Sequence, residues 1–204
     1  MTRAPRVVLS AVVAAAIATA GAAFWAARAR GFSAREQPSA VEELIARAAR
    51  RWAVPRASRS AVNPVPFSTE VWAEARAHFA DHCASCHAND GSGQTEIGRN
   101  LYPKALDMRL PATQDLTDGE LYWIIENGIR FTGMPAWGAG TGNDPDTWKL
   151  VHFIRRVKDL TPADLKTMES LNPKSPHELE EEQADERFLS GEADAPPPGA
   201  HHHE

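Results

Sequence analysis

The chain has 204 residues, 43% of them hydrophobic, and only two cysteines. Its formal net charge of −5 is unevenly split, at +7 over residues 1–60, −5 over 61–173 and −7 over 174–204. The length suits one domain with appendages. Two cysteines exclude a disulfide scaffold. The acidic stretches would repel phosphate, which excludes a compact nucleic-acid binder.

Arg3 and Arg6 precede Val7–Ala27, an uncharged run of 21 residues. As a helix it would be roughly 30 Å long, about one hydrocarbon core. Two readings stand. A lasting anchor is favoured by the length of the run and by Phe24-Trp25 at its end, where interfacial aromatics sit. A cleaved signal peptide is favoured by Ala27-Arg28-Ala29, which fits the small-x-small cleavage pattern. Both readings take the remaining chain out of the cytoplasm.

Ser39 and Glu42 form a capping-box pattern that predicts a helix over residues 40–52. Val41, Leu44, Ile45, Ala48 and Trp52 follow one apolar stripe, with Arg47, Arg50 and Arg51 mostly off it. The stripe is expected either on lipid head groups or against the neighbouring domain. Pro55 ends that helix, and Ala61–Pro66 reads as an extended linker. Residues 31–66 then form a tether on which the following domain swings.

Residues 67–173 read as helical. Ser68 or Thr69 caps a helix to about Asp81, and residues 87–116, rich in glycine and proline, read as a long irregular loop. Thr117 with Glu120 caps a helix that ends near Asn127-Gly128. Asp144-Pro145 starts another, with Trp148, Val151, Ile154 and Val157 on one stripe and Leu150 and Phe153 beside it. Thr161-Pro162 starts the next, which stops before Asn172-Pro173. No segment reads as a strand, so the fold class is all-α. So thin a core points to a bound cofactor. Ser175-Pro176-x-Glu178 opens a last helix through Leu189 with Gly191 as its stop, and its acidic run reads as a solvated face. Residues 195–200 are proline-rich.

The chemistry lies at Cys83-Ala84-Ser85-Cys86-His87, the pattern of c-type haem attachment. Two thiols three apart at a helix end can reach two vinyl groups of one porphyrin, and His87 then offers its imidazole to iron. A disulfide-exchange pair would need a strand–turn–helix setting that is missing. A zinc site from His82, Cys83, Cys86 and His87 would crowd four ligands onto one turn. The second axial ligand is sought at Gly133-Met134-Pro135, outside any periodic segment. Met1 is the initiator, Met108 falls in the long loop, and Met168 lies on an apolar helix face.

With these residues in view, residues 68–160 resemble a class I cytochrome c, closest to the small bacterial type of cbb3-oxidase subunits. The resemblance implies that a first helix ends in the haem motif and crosses a last helix through Ala75, Phe79, Leu150 and Phe153. Gly98-Arg99-Asn100-Leu101 stands where that family often has Gly-Pro-Asn-Leu, with Arg99 in place of the proline. The carbonyl that accepts the His87 Nδ1–H is then that of Arg99, Pro103 or another residue.

The expected architecture is an anchor or signal (1–30), a basic helix and linker (31–66), a class I cytochrome c domain (67–173) and an acidic tail (174–204). The expected cofactor is one covalent haem c, on Cys83 and Cys86, with His87 and Met134 as axial ligands of its iron. The expected role is electron transfer between membrane redox complexes, without enzymatic activity, from the periplasmic side of the inner membrane. If the N-terminal segment is cleaved, the product is a free periplasmic carrier. The rivals are a haem-based redox or gas-ligand sensor, and a metal-handling protein that uses His201, His202 and His203.

Overall fold

The computed structural model describes residues 3–31 and 33–190, and no strand occurs among them. In chain order the helices are α1 (Arg3–Arg30), α2 (Ala40–Ala53), α3 (Arg56–Arg59), α4 (Thr69–His78), α5 (Ala84–His87), α6 (Glu96–Asn100), α7 (Pro111–Gln114), α8 (Asp118–Asn127), α9 (Pro145–Arg156), α10 (Pro162–Glu169) and α11 (Pro176–Ser190). A π-helical turn (Phe79–Cys83) joins α4 to α5, and a 3₁₀ turn (Val157–Asp159) follows α9. The all-α expectation holds. His201–His203, the proline-rich end and Gly191 lie outside the described residues.

Local chemistry sets most helix starts. Ser39 Oγ accepts from Glu42 N at 3.3 Å while Glu42 Oε2 accepts from Ser39 N at 2.7 Å. The same reciprocal box recurs at Thr117 with Glu120 and at Thr161 with Asp164. Asp144 takes the backbone N–H groups of Asp146 and Thr147 ahead of Pro145. Each such cap satisfies donors that a helix start leaves open, and contributes about 1 kcal/mol. Within α1, Val7–Ala29 has a mean hydropathy of 2.2 and nothing buried. That span is long and apolar enough to cross a membrane, a property shared by cleaved signal sequences.

The core lies where α4 and the π-turn cross α9. Ala75 and Phe79 from one side meet Leu150 and Phe153 from the other, and all four are buried. Phe79 and Phe153 stack with centroids 4.2 Å apart, and Trp72 also stacks on Phe153, at 5.7 Å. Trp148, Val151, Ile154 and Val157 are buried along the predicted stripe, with Tyr122 of α8 stacked on Trp148 at 4.2 Å. Met108 and Met168 both belong to this core. Arg155 ties α9 to α8, donating Nε to Asp118 Oδ1 at 2.8 Å and its other nitrogens to the carbonyls of Gln114 and Leu116.

Two departures from the sequence reading matter. The helix expected to reach Asp81 widens after His78 into the π-turn, where Ala84 N donates to Phe79 O. Residues 54–66 are no free tether: they lie on the domain. Val54 is buried, Asn63 Nδ2 donates to Trp148 O at 2.9 Å, and His152 Nε2 meets Val65 O at 2.8 Å. A carbonyl only accepts, so that imidazole nitrogen carries the proton. Arg59 pairs with Glu120 at 3.4 Å and also donates to the Arg51 carbonyl.

Gly119 is where this docking is tightest. A Cβ there would overlap the Ser58 carbonyl oxygen, a backbone atom that cannot rotate away. Gly119→Ala is therefore expected to push α3 off α8, with a loss of about 1–3 kcal/mol, the usual range for overpacking. Thermal unfolding should record that loss, and trypsin should cut after Arg56 and Arg59 faster than in the parent. Unchanged cleavage and melting would show that the segment does not rest there.

Candidate functional site

The π-turn delivers the Cys83–His87 motif to the edge of the core. Its wider i→i+5 turn re-aims the residues that follow, and such turns concentrate at functional sites. Ala84 packs into the core, while Cys83, Cys86 and His87 are half-buried. Both cysteines are free thiols. Burial, reinforced by the neighbouring Cys86, pushes the Cys83 thiol up to about 12. A thiol so protonated at neutral pH lacks the thiolate that disulfide exchange requires. Among the described residues no group of three or more His, Cys, Asp and Glu converges as a metal site.

His87 is held from its backbone: its carbonyl accepts from Gly93 N at 2.8 Å. Burial lowers the pKa of its ring, opposed by the Leu106 carbonyl. The neutral imidazole is the form that ligates metal. Nδ1 is buried without a hydrogen bond of good geometry, so the ring is not yet locked by its surroundings. The carbonyl set against this ring is that of Leu106. The Arg99 carbonyl accepts from Lys104 Nζ at 2.6 Å.

Met134 sits in a loop folded back on the end of α8. Ile129 N donates to Met134 O at 3.1 Å, Met134 N donates to Thr132 Oγ1 at 3.1 Å, and Trp137 N donates to Ile125 O at 3.1 Å. Glu126, which sequence reading passed over, anchors the far end. Its carbonyl accepts from Gly138 N at 3.2 Å and its Oε1 accepts from Gly140 N at 2.9 Å. Oε2 of this buried carboxylate is met by Tyr122 Oη at 3.3 Å and Thr147 Oγ1 at 3.4 Å. No pattern along the chain marks Glu126, because apart from Tyr122 on its own helix its partners come from α9 and the 138–140 turn.

Three contacts close these pieces around the motif. His82 meets Trp137 edge-on at 5.5 Å. Gly98 lies so close to the Cys86 carbonyl that no side chain would fit, and Gly133 leaves no room for a Cβ beside the Leu101 side chain. The same loops carry Ile97, Leu106, Trp137 and the 93%-exposed Phe131 in the open. Free paired thiols, a buried imidazole with an orphaned nitrogen and uncovered apolar side chains fit a porphyrin held between the loops. The residues present suit the group that the motif implies.

The turn after the motif stores strain. Ala88 has φ 59° and ψ 156°, a region that essentially only glycine occupies, at a cost of about 1–3 kcal/mol for other residues. Ala88→Gly should relieve it, and after the entropy that glycine returns to the unfolded chain the net gain is about 1 kcal/mol. A melting temperature raised by several degrees checks this. A lowered one would contradict it.

No curated protein matches the chain. Residues 70–154 match the family model described as cytochrome C oxidase, cbb3-type, subunit III. That stretch starts in α4 and ends in α9, so it spans the helix crossing, the Cys83–His87 motif and the Met134 loop. Domains of this family imply a covalent haem c and its iron. Residues 70–154 are accordingly a cbb3-type class I cytochrome c domain, made for haem-based electron transfer.

Proposed function

We propose that the chain is a membrane-anchored, single-haem electron carrier, in which Cys83 and Cys86 hold the haem and His87 and Met134 are its axial ligands. The observation that carries this reading is the anchoring of the Met134 loop to the same core that presents Cys83–His87, with His82 against Trp137 joining the two. When bound, the haem supplies one-electron exchange between Fe(II) and Fe(III).

The chain's own residues bind, orient and shield. Cys83 and Cys86 would hold the group through thioethers. The Leu106 carbonyl orients His87 once Nδ1–H reaches it, which resolves the orphaned nitrogen. Thr132, Ile129 and Glu126 hold the Met134 loop, and a soft thioether favours the reduced state. With His87 and Met134 both holding the iron, no position would remain for a substrate, which favours a carrier over an enzyme. A gas sensor needs Met134 to leave readily, and its anchored loop speaks for the carrier. Phe131, Trp137 and Ile97 shield the cofactor from water.

Haem attachment takes place outside the cytoplasm, so Arg3 and Arg6 stay inside and the domain faces the periplasm. α1 keeps it beside membrane complexes that give and take electrons.

Two results are expected. Ferric holoprotein should show the weak charge-transfer band of a thioether on iron at the red end of its spectrum. Met134→Leu should abolish the band, open the iron to CO and lower the potential, whereas Met108→Leu should leave it intact. Loss of the band in Met108→Leu alone would overturn the ligand assignment. The second result concerns the N-terminus, which should be intact in membranes that resist carbonate extraction. Mature protein starting at Arg30 in the periplasmic fraction would show a cleaved signal and a free carrier.

A further inference from the structure

Helix α2 turns its apolar stripe away from the domain it rests on. Val41, Leu44, Ile45 and Trp52 are 65%, 68%, 62% and 90% exposed. Contact with the domain comes from the polar side instead. Arg50 Nη2 donates to the Ala112 carbonyl at 3.2 Å, and Glu42 Oε1 accepts from Tyr102 Oη at 2.9 Å. At 100° per residue, Arg50 lies opposite the middle of the stripe. A contiguous apolar face left in the open marks an interaction surface.

We propose that α2 lies flat in the head-group layer of the bilayer that α1 spans, stripe down, carrying the cytochrome domain on its opposite face. This rests on the anchor reading of α1. Three features favour lipid over a protein partner. First, only residues 31–39 separate α1 from α2. Fully extended they reach about 30 Å, so the start of α2 cannot leave the neighbourhood of the membrane. Second, Arg47 and Arg51 rim one edge of the stripe. Arg47 is shared with Glu43 at 3.0 Å, and Arg51 makes no ion pair among the described residues, so its guanidinium is available to anionic head groups. The two acids of α2 are already engaged, Glu42 with Ser39 and Tyr102, Glu43 with Arg47. Third, Trp52 ends the stripe with an amphipathic ring of the kind that settles at membrane interfaces.

The contacts that hold α2 to the domain stay intact in this arrangement. Lys104 Nζ also reaches the carbonyls of Ala34 and Arg35, holding the connecting segment to the same side. Membrane, α2 and domain then form one stacked unit, and the cytochrome domain has a set orientation above the lipid.

The test uses the full-length, haem-loaded protein, whose own thiols are consumed by the haem, so that one introduced cysteine takes a nitroxide label. Ile45→Cys and Trp52→Cys report the stripe, Glu43→Cys the other side of α2, and Val13→Cys the anchor. An unchanged haem spectrum shows that each variant folds. The proteins are placed in vesicles of phosphatidylethanolamine with phosphatidylglycerol. Labels at positions 45 and 52 should relax more with oxygen than with a water-soluble nickel chelate, at a depth of about 5–10 Å below the phosphates. The label at position 43 should show the reverse preference. Positions 45 and 52 in water while position 13 sits in hydrocarbon would overturn the proposal and leave the anchor standing. Position 13 in water would overturn the anchor reading, and this proposal with it. Positions 45 and 52 shielded from both reagents, with spin–spin broadening, would assign the stripe to a second copy of the chain and refute the lipid contact.

Discussion

The stack of Phe79 on Phe153 is the contact on which the rest of the domain depends. The rings lie 4.2 Å apart and both residues are fully buried. Phe79 is also the first residue of the π-turn that brings Cys83 to the edge of the core. Truncating such a side chain costs about 3–5 kcal/mol, set against a total stability of about 5–15 kcal/mol for an ordinary domain. One aromatic pair therefore sets the helix crossing and aims the motif. Around that crossing the polypeptide covers one side of the site well and the other poorly. Met108 packs into the core, while Phe131, Ile97 and Leu106 stay in the open.

A second constraint runs between the domain and what precedes it. Asn63 and Val65 are bound to α9, Arg59 reaches Glu120, and the Ser58 carbonyl fills the space beside Gly119. The segment after α2 is thus part of the domain's surface, and residues 31–39 make the connection from α1 to α2. There Lys104 holds two carbonyls. If α1 is the anchor proposed above, such a domain would travel with it as a unit, and encounter with redox partners would depend on movement in the membrane plane more than on a swinging arm.

Much of this was legible along the chain, and what was legible was local. Capping residues act within four positions, so Ser39 with Glu42, Thr117 with Glu120 and Asp144 before Pro145 announced their helices. The α9 stripe was equally plain, because one period of 3.6 residues put Trp148, Val151, Ile154 and Val157 on a single face. The Cys83–His87 motif was legible for the same reason. What escaped was decided across long separations. Prolines at 64 and 66 read as an extended arm because nothing nearby reveals that Asn63 finds Trp148 O, 85 residues on. The π-turn has no composition signal; it opens at Phe79, the residue stacked on Phe153. The short helices α6 and α7 lie inside a stretch whose glycines and prolines read as loop. Leu106, five residues past Leu101, supplies the carbonyl against His87, which no offset from the Gly-Arg-Asn-Leu stretch had indicated. Glu126 reads as one more acid on an acidic domain until Gly138, Gly140, Tyr122 and Thr147 close on it.

On the proposed function, Cys83 and Cys86 are the attachment points of one haem. Mass analysis of the peptide that spans both cysteines, from protein matured outside the cytoplasm, tests this most directly. The peptide should carry the mass of one haem, keep it through acid–acetone treatment, and offer no thiol to an alkylating reagent. A colourless peptide with two alkylated cysteines would contradict it.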